Sequence, residues 1–205
     1  IPLWWDEYVL DRTIGLQFLI AKSQDLFGRN IFSAYLPTTV ASILMLFTTY
    51  KLHEELFNKK YAIISPLILA TTYLWFDYSH LATQDIIYSC LVTIGVLALV
   101  KIKSKNNKFY ILLFGIWIGL AFMMKTFLVF VPLLSLIPYI FLKKNFLFIK
   151  FFWLGLLIGF IPFLFWTFSI NPYLDKNIIF YLVEKFNFLS SKNTFTNPFY
   201  YYFWN

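Results

Sequence analysis

Five ionisable side chains stand where chemistry at a membrane surface could use them: Lys125, Asp85, His80 and the adjacent pair Asp6 and Glu7. Lys125 sits between Met124 and Thr126, with no other charge in the 16 residues on either side. An isolated ammonium at the end of an apolar run either snorkels to water or holds an anion. Lysine is a compact point charge, suited to a group such as a lipid phosphate. Asp85 and His80 fall on one polar turn that runs from Asp77 to Asp85. Asp85 can cap the helix that follows, because carboxylates are favoured at helix N-termini. His80 is as well placed to be a satisfied polar residue as a base. The five-residue spacing of His80 and Asp85 leaves a divalent metal ion open as a cofactor, but no metal-ligand cluster is predicted. Asp6-Glu7 read either as a solvated face or as part of an outer cleft. There is no Ser-His-Asp order and no glycine-rich phosphate loop. Cys90, the single cysteine, lies inside an apolar run and has no partner for a disulfide.

The elements that must position these groups follow from composition. Apolar residues make up 60% of the chain and charged residues 13%, which sets it apart from soluble domains. Those have about 45–50% apolar and about 25% charged residues. A soluble globule of this size has too much surface to hide so many Phe, Leu and Ile side chains. The net charge of +7 does not point to nucleic acid. The basic residues are dispersed between apolar runs and form no stripe.

Six apolar stretches are expected to cross the bilayer as helices: 32–50, 61–77, 84–100, 109–124, 126–142 and 147–170. Inside lipid the backbone must satisfy itself, and period-2 alternation is absent, so a barrel is excluded. The run 109–142 is predicted to turn back near Lys125, since a 34-residue helix would be about 51 Å long against a core of about 30 Å. Loops 51–60, 101–108 and 143–150 then share one side. They carry Lys51, Lys59, Lys60, Lys101, Lys103, Lys105, Lys108, Lys143, Lys144 and Lys150, opposed only by Glu54 and Glu55. The positive-inside rule makes that side cytoplasmic. Residues 1–31, the turn 77–85, Lys125 and a loop at 171–197 are left outside. Segment 3–27 is too polar to span and is predicted to be a helix lying at the outer interface. The expected organisation is a single all-α membrane domain: outer helix in 1–31, spans in 32–170, outer loop and the start of a further span in 171–205.

Several short segments, in order along the chain, carry a family resemblance. Ile1-Pro2-Leu3-Trp4-Trp5 followed by Leu26-Phe27-Gly28, Phe32-Ser33-Ala34-Tyr35-Leu36-Pro37, His80-Leu81-Ala82-Thr83-Gln84-Asp85, Gly119-Leu120-Ala121-Phe122-Met123-Met124-Lys125-Thr126 and Asn197-Pro198-Phe199-Tyr200-Tyr201-Tyr202 resemble motifs of one group. It is the bacterial protein-mannosyltransferase and aminoarabinose-transferase branch of the C-type glycosyltransferases. The chain departs from the family at Tyr35 and His80, where arginines are usual, and at Phe195, where a histidine often stands.

The resemblance implies a membrane glycosyltransferase using a polyprenyl-phosphate sugar donor and a lipid, glycan or protein acceptor. It implies a multi-pass protein of the bacterial plasma membrane with an extracytoplasmic active face. It also implies that Lys125 binds the donor phosphate, with His80, Asp85, Asp6 and Glu7 as candidates around the cleft. The family's catalytic Asp-Glu lies upstream of the Pro-Leu motif, so the catalytic base is expected ahead of residue 1, and Asp6-Glu7 are not given that role. The competing expectation is a transporter or flippase for a lipid-linked solute. Inverted repeats and helices broken at mid-bilayer would mark it.

Overall fold

A computed structural model describes residues 3–4, 7–8, 13–102, 107–142, 149–173 and 178–191. Two compact units divide the chain, 1–165 and 166–205. Among the described residues nearly everything regular is helical. A minimal antiparallel pair, β1 (Leu3–Trp4) and β2 (Glu7–Tyr8), precedes α1 (Gly15–Phe27), α2 (Ile31–Leu56), α3 (Ile64–Thr71) and α4 (Tyr73–Ser79). Then come α5 (Gln84–Lys101), α6 (Lys108–Lys125), α7 (Phe130–Leu142), α8 (Lys150–Ile170) and α9 (Ile178–Ser191).

The first unit is a nearly all-α, multi-spanning membrane bundle. Ile31–Leu56, Gln84–Lys101, Lys108–Leu142 and Lys150–Ile170 are helical stretches long and apolar enough to cross a bilayer. Their outward side chains are apolar too: Ile43, Phe47, Leu134, Phe141, Leu157 and Ile161 are all exposed. Apolar surface on this scale belongs in lipid rather than water.

Packing fixes the helix directions. Asp85 meets Lys125 at one end of α5 and α6, and Asn107 Nδ2 donates to the Lys101 carbonyl at the other, 2.7 Å away. These two helices are therefore antiparallel. Lys101 also pairs with Glu55 at 3.6 Å, which sets the end of α2 beside the end of α5 and makes them parallel. Helices α6 and α8 are parallel as well. Lys108 lies over the Phe151 ring at 5.5 Å, Gly115 faces the Phe152 carbonyl, and Phe122 meets Phe160 and Phe163 with ring centroids 5.4 and 5.0 Å apart. The chain must then return to the lysine-rich end between residues 126 and 149. Helix α6 ends at Lys125, where the sequence predicts a turn.

Glycines let α6 and α8 approach. A Cβ on Gly119 would strike the backbone of Gly159 and Phe160, and one on Gly155 would strike the Leu112 backbone. Gly115/Gly119 and Gly155/Gly159 form the small-xxx-small pattern that permits close contact of membrane helices. The core beside this contact contains Trp117, Phe114, Ile111 and Leu99, all almost fully buried.

Local chemistry explains where helices stop. Gly28 takes φ +79°, a conformation that suits glycine at the end of α1. Asn30 then opens α2 with a reciprocal cap. Its Oδ1 accepts from Ser33 N at 2.8 Å, and Ser33 Oγ accepts from Asn30 N at 3.2 Å.

Four sequence expectations shift. Of the helix expected over 3–27, Gly15–Phe27 is helical among the described residues, while Leu3 pairs with Tyr8 and Trp4 with Glu7 in β1 and β2, Trp and Tyr being strand formers. The span expected over 61–77 is divided between α3 and α4. Thr71 and Thr72 hydroxyls both bond back to the Ile68 carbonyl, at 3.0 and 2.9 Å, in competition with the helix ladder, and Thr72 is extended. The stretch 126–142 is a single-turn 3-10 helix, Thr126–Val129, followed by the 13 residues of α7. The loop expected at 171–197 contains α9. Ile178, Ile179, Leu182 and Val183 have helical spacing, and the Asn171 side chain accepts from Ile178 N at 3.1 Å.

Candidate functional site at the Lys125 end of the bundle

Helix α6 stops at Lys125 because the next residue leaves the helical basin. Thr126 adopts φ +44°, ψ −119°. For a β-branched residue this is a genuine outlier, worth of the order of 1–3 kcal/mol, and it persists only where the surroundings enforce it. The break places the Lys125 side chain at the end of the bundle opposite Lys101, Lys108 and Lys150.

Lys125 Nζ donates to Asp85 Oδ1 at 2.5 Å. The lysine side chain is 22% exposed and the aspartate 44%, so the pair is sheltered on one side and open on the other. The ammonium also lies 6.0 Å from the centroid of the Tyr88 ring. Asp85 is in the first turn of α5, where the helix dipole favours a carboxylate. It therefore serves as an anchor for the ammonium as well as an N-terminal residue. Lysine has three N–H donors and Asp85 takes one.

Two hydroxyls hold the backbone around the break. Thr13 Oγ1 donates to the Met124 carbonyl at 3.1 Å, and Tyr88 OH donates to the Leu128 carbonyl at 2.9 Å. Neither residue stands out in the sequence. Tyr88 could have been suspected from its position three residues after Asp85, on the same helix face. Thr13 carries no sequence signal at all.

The other predicted site residues are placed differently. His80 follows α4 and is exposed. Its Nδ1 lies 2.7 Å from the Phe76 carbonyl and its ring packs on Phe76 at 4.6 Å, so it is bound to its own helix. Asp85 and Lys125 are brought together, whereas His80 bonds to Phe76 and Ser79 and to neither of them. Glu7 belongs to β2, opposite Trp4. Asp6, the Glu7 side chain, Phe195 and the 197–202 motif lie outside the described residues. Tyr35 is exposed on α2. Among the described residues no three His, Cys, Asp or Glu side chains gather as a metal site would require.

Residues 11–167 match the family model described as dolichyl-phosphate-mannose-protein mannosyltransferase. No curated protein matches the chain significantly. Two crystal structures of ArnT from Cupriavidus metallidurans share its fold, one bound to undecaprenyl phosphate and one in the apo state. Their TM-scores are 0.72 and 0.69, each at 15% sequence identity over 82% of this chain. The chain spans 33% of the length of those structures.

Proposed function

Since the chain belongs to the dolichyl-phosphate-mannose-protein mannosyltransferase family, we propose that it forms the donor-phosphate end of a membrane glycosyltransferase. The donor is a polyprenyl-phosphate sugar, and the acceptor is a hydroxyl of a lipid, glycan or protein. The observation that carries this reading is the Lys125–Asp85 pair, half-sheltered at the end of the bundle away from the basic loops. When the sugar–phosphate bond breaks, negative charge builds on the departing phosphate. A preorganised ammonium beside that oxygen stabilises the charge as it develops. Asp85 holds the ammonium in place, and the remaining N–H donors of Lys125 face the phosphate. The prenyl tail stays in the bilayer. The acceptor proton is taken by a carboxylate outside this pair.

This face is extracytoplasmic and the membrane is the bacterial plasma membrane, with the Lys-rich loops inside. In a Cys90→Ala background, a cysteine at position 80 is expected to react with an impermeant thiol reagent added outside intact cells, and one at position 105 is not. Labelling at 105 from outside would invert the assignment.

The full-length protein in membranes tests the activity, with radiolabelled polyprenyl-phosphate sugars as donors. Sugar is expected to leave the lipid and appear on an acceptor. Movement of the intact lipid-linked sugar between leaflets, with the sugar–phosphate bond uncut, would replace this reading with a flippase.

A further inference from the structure

We infer that Tyr88 and Thr13 are positioning residues for Lys125: their hydroxyls set where its ammonium stands by holding the two sides of the break that carries it. The inference rests on the proposed role of Lys125 in the donor step and extends it to the residues behind it.

The last carbonyls of a helix have no partner within it. At the end of α6 the Phe122 carbonyl is taken by the backbone N–H of Thr126. The Met124 carbonyl, immediately before Lys125, is taken by Thr13, which is 1% exposed. That donor comes from 111 residues away. On the far side of the break, Leu128 O accepts both the Phe130 N–H and the Tyr88 hydroxyl. The break is thus pinned from two elements at once: the segment ahead of α1, and α5.

The geometry at α5 gives this pinning a purpose. Asp85 and Tyr88 are three residues apart and on one face. Asp85 grips the ammonium, and Tyr88 grips the turn from which that side chain springs. The carboxylate that accepts from the ammonium and the hydroxyl that donates to its backbone turn therefore share one rigid helix. Thr126, at φ +44°, would relax toward an ordinary conformation if either hydroxyl were lost. Lys125 would swing with it, because the two residues share a peptide bond. The ring of Tyr88, 6.0 Å from Nζ, stays in place when only the hydroxyl is removed.

The test uses Tyr88→Phe and Thr13→Val in the full-length protein, with Thr13→Ser as the conservative variant. Each of the first two is expected to lower kcat/KM for the polyprenyl-phosphate donor by about tenfold, and Thr13→Ser to restore it. Combined with Lys125→Ala, neither change should lower kcat/KM further, because the residue it positions is gone. A purely structural role would give the same fold-loss in both backgrounds, and that result overturns the inference. A second readout does not depend on transfer. Acylation of Lys125 by a small amine reagent, followed by peptide mass spectrometry, should be at least about threefold faster in Tyr88→Phe and Thr13→Val, since a displaced ammonium leaves Asp85. An unchanged acylation rate also overturns the inference. If the wild type transfers no sugar but the acylation rates rise, the glycosyltransferase reading fails while the positioning role stands.

Discussion

Replacing Lys125 with alanine is expected to lower the rate of sugar transfer by about 10²–10³-fold, the usual cost of removing one preorganised group from a developing oxyanion. The protein should remain folded. Lys125 is 22% exposed and Asp85 44%, so neither partner is left as a deeply buried charge. An ion pair this accessible contributes about 0–1 kcal/mol to stability. The apparent Tm in detergent should therefore shift by no more than a few degrees while activity collapses. Lys125→Arg should recover part of the rate, since the charge is kept but the fork of the guanidinium does not match a site built for a point charge. Asp85→Asn should have a smaller effect than Lys125→Ala, because it removes the anchor and leaves the cation. A Lys125→Ala variant that transfers sugar at the wild-type rate would remove the lysine from the mechanism.

The second large effect is on assembly. Gly119→Leu is expected to abolish folded protein, and Gly119→Ala to cost about 1–3 kcal/mol, as overpacking does in a close contact. A Cβ at Gly119 meets the backbone of Gly159 and Phe160, and backbone cannot swing aside as a long side chain can. Gly159→Ala should behave alike, because its Cβ would meet the Ile116 carbonyl. Gly28→Ala serves as the contrast. Nothing lies within 4 Å of a Cβ there, so any loss comes from its φ of +79° alone. Apparent Tm and protease resistance of the purified protein read all four. A stable Gly119→Leu protein would mean that α6 and α8 are not in direct backbone contact.

Much of the bundle is legible in the sequence because lipid imposes one strong rule, that long apolar runs become helices. Positive charge at the loops added direction, and the shared end of Glu55, Lys101, Asn107 and Lys108 agrees with it. What failed to show was local. Thr71 and Thr72 read as ordinary members of an apolar run, yet their hydroxyls divide it. Leu26-Phe27-Gly28 and Phe32-Ser33 were visible as motifs; their roles as a helix stop and a capping box become clear only from the backbone angles and hydrogen bonds.

The candidate site is half legible in the same sense. Lys125 stands out for its isolation and Asp85 for its turn, and both fall at one end of the bundle. Their pairing spans 40 residues and depends on the antiparallel register of α5 and α6, which no local pattern reveals. His80, equally conspicuous in the sequence, bonds to its own helix instead. Tyr88 is hinted at only by its spacing from Asp85, and Thr13 not at all, because a hydroxyl that satisfies a distant carbonyl leaves no periodicity and no charge.

The bond from Thr13 to Met124 also has a history in time. Its partners are 111 residues apart in the chain. At about 5–20 residues per second of synthesis, Thr13 waits roughly 6–22 s for its carbonyl to be made. During that interval α1 cannot be seated on α6, and its exposed Phe18, Leu26 and Phe27 need somewhere apolar to rest. The headgroup layer offers such a berth to a short helix of this kind. The rim that shapes the Lys125 end is in this way made before the helix it docks on, so the site closes only after the helices that build it have been inserted.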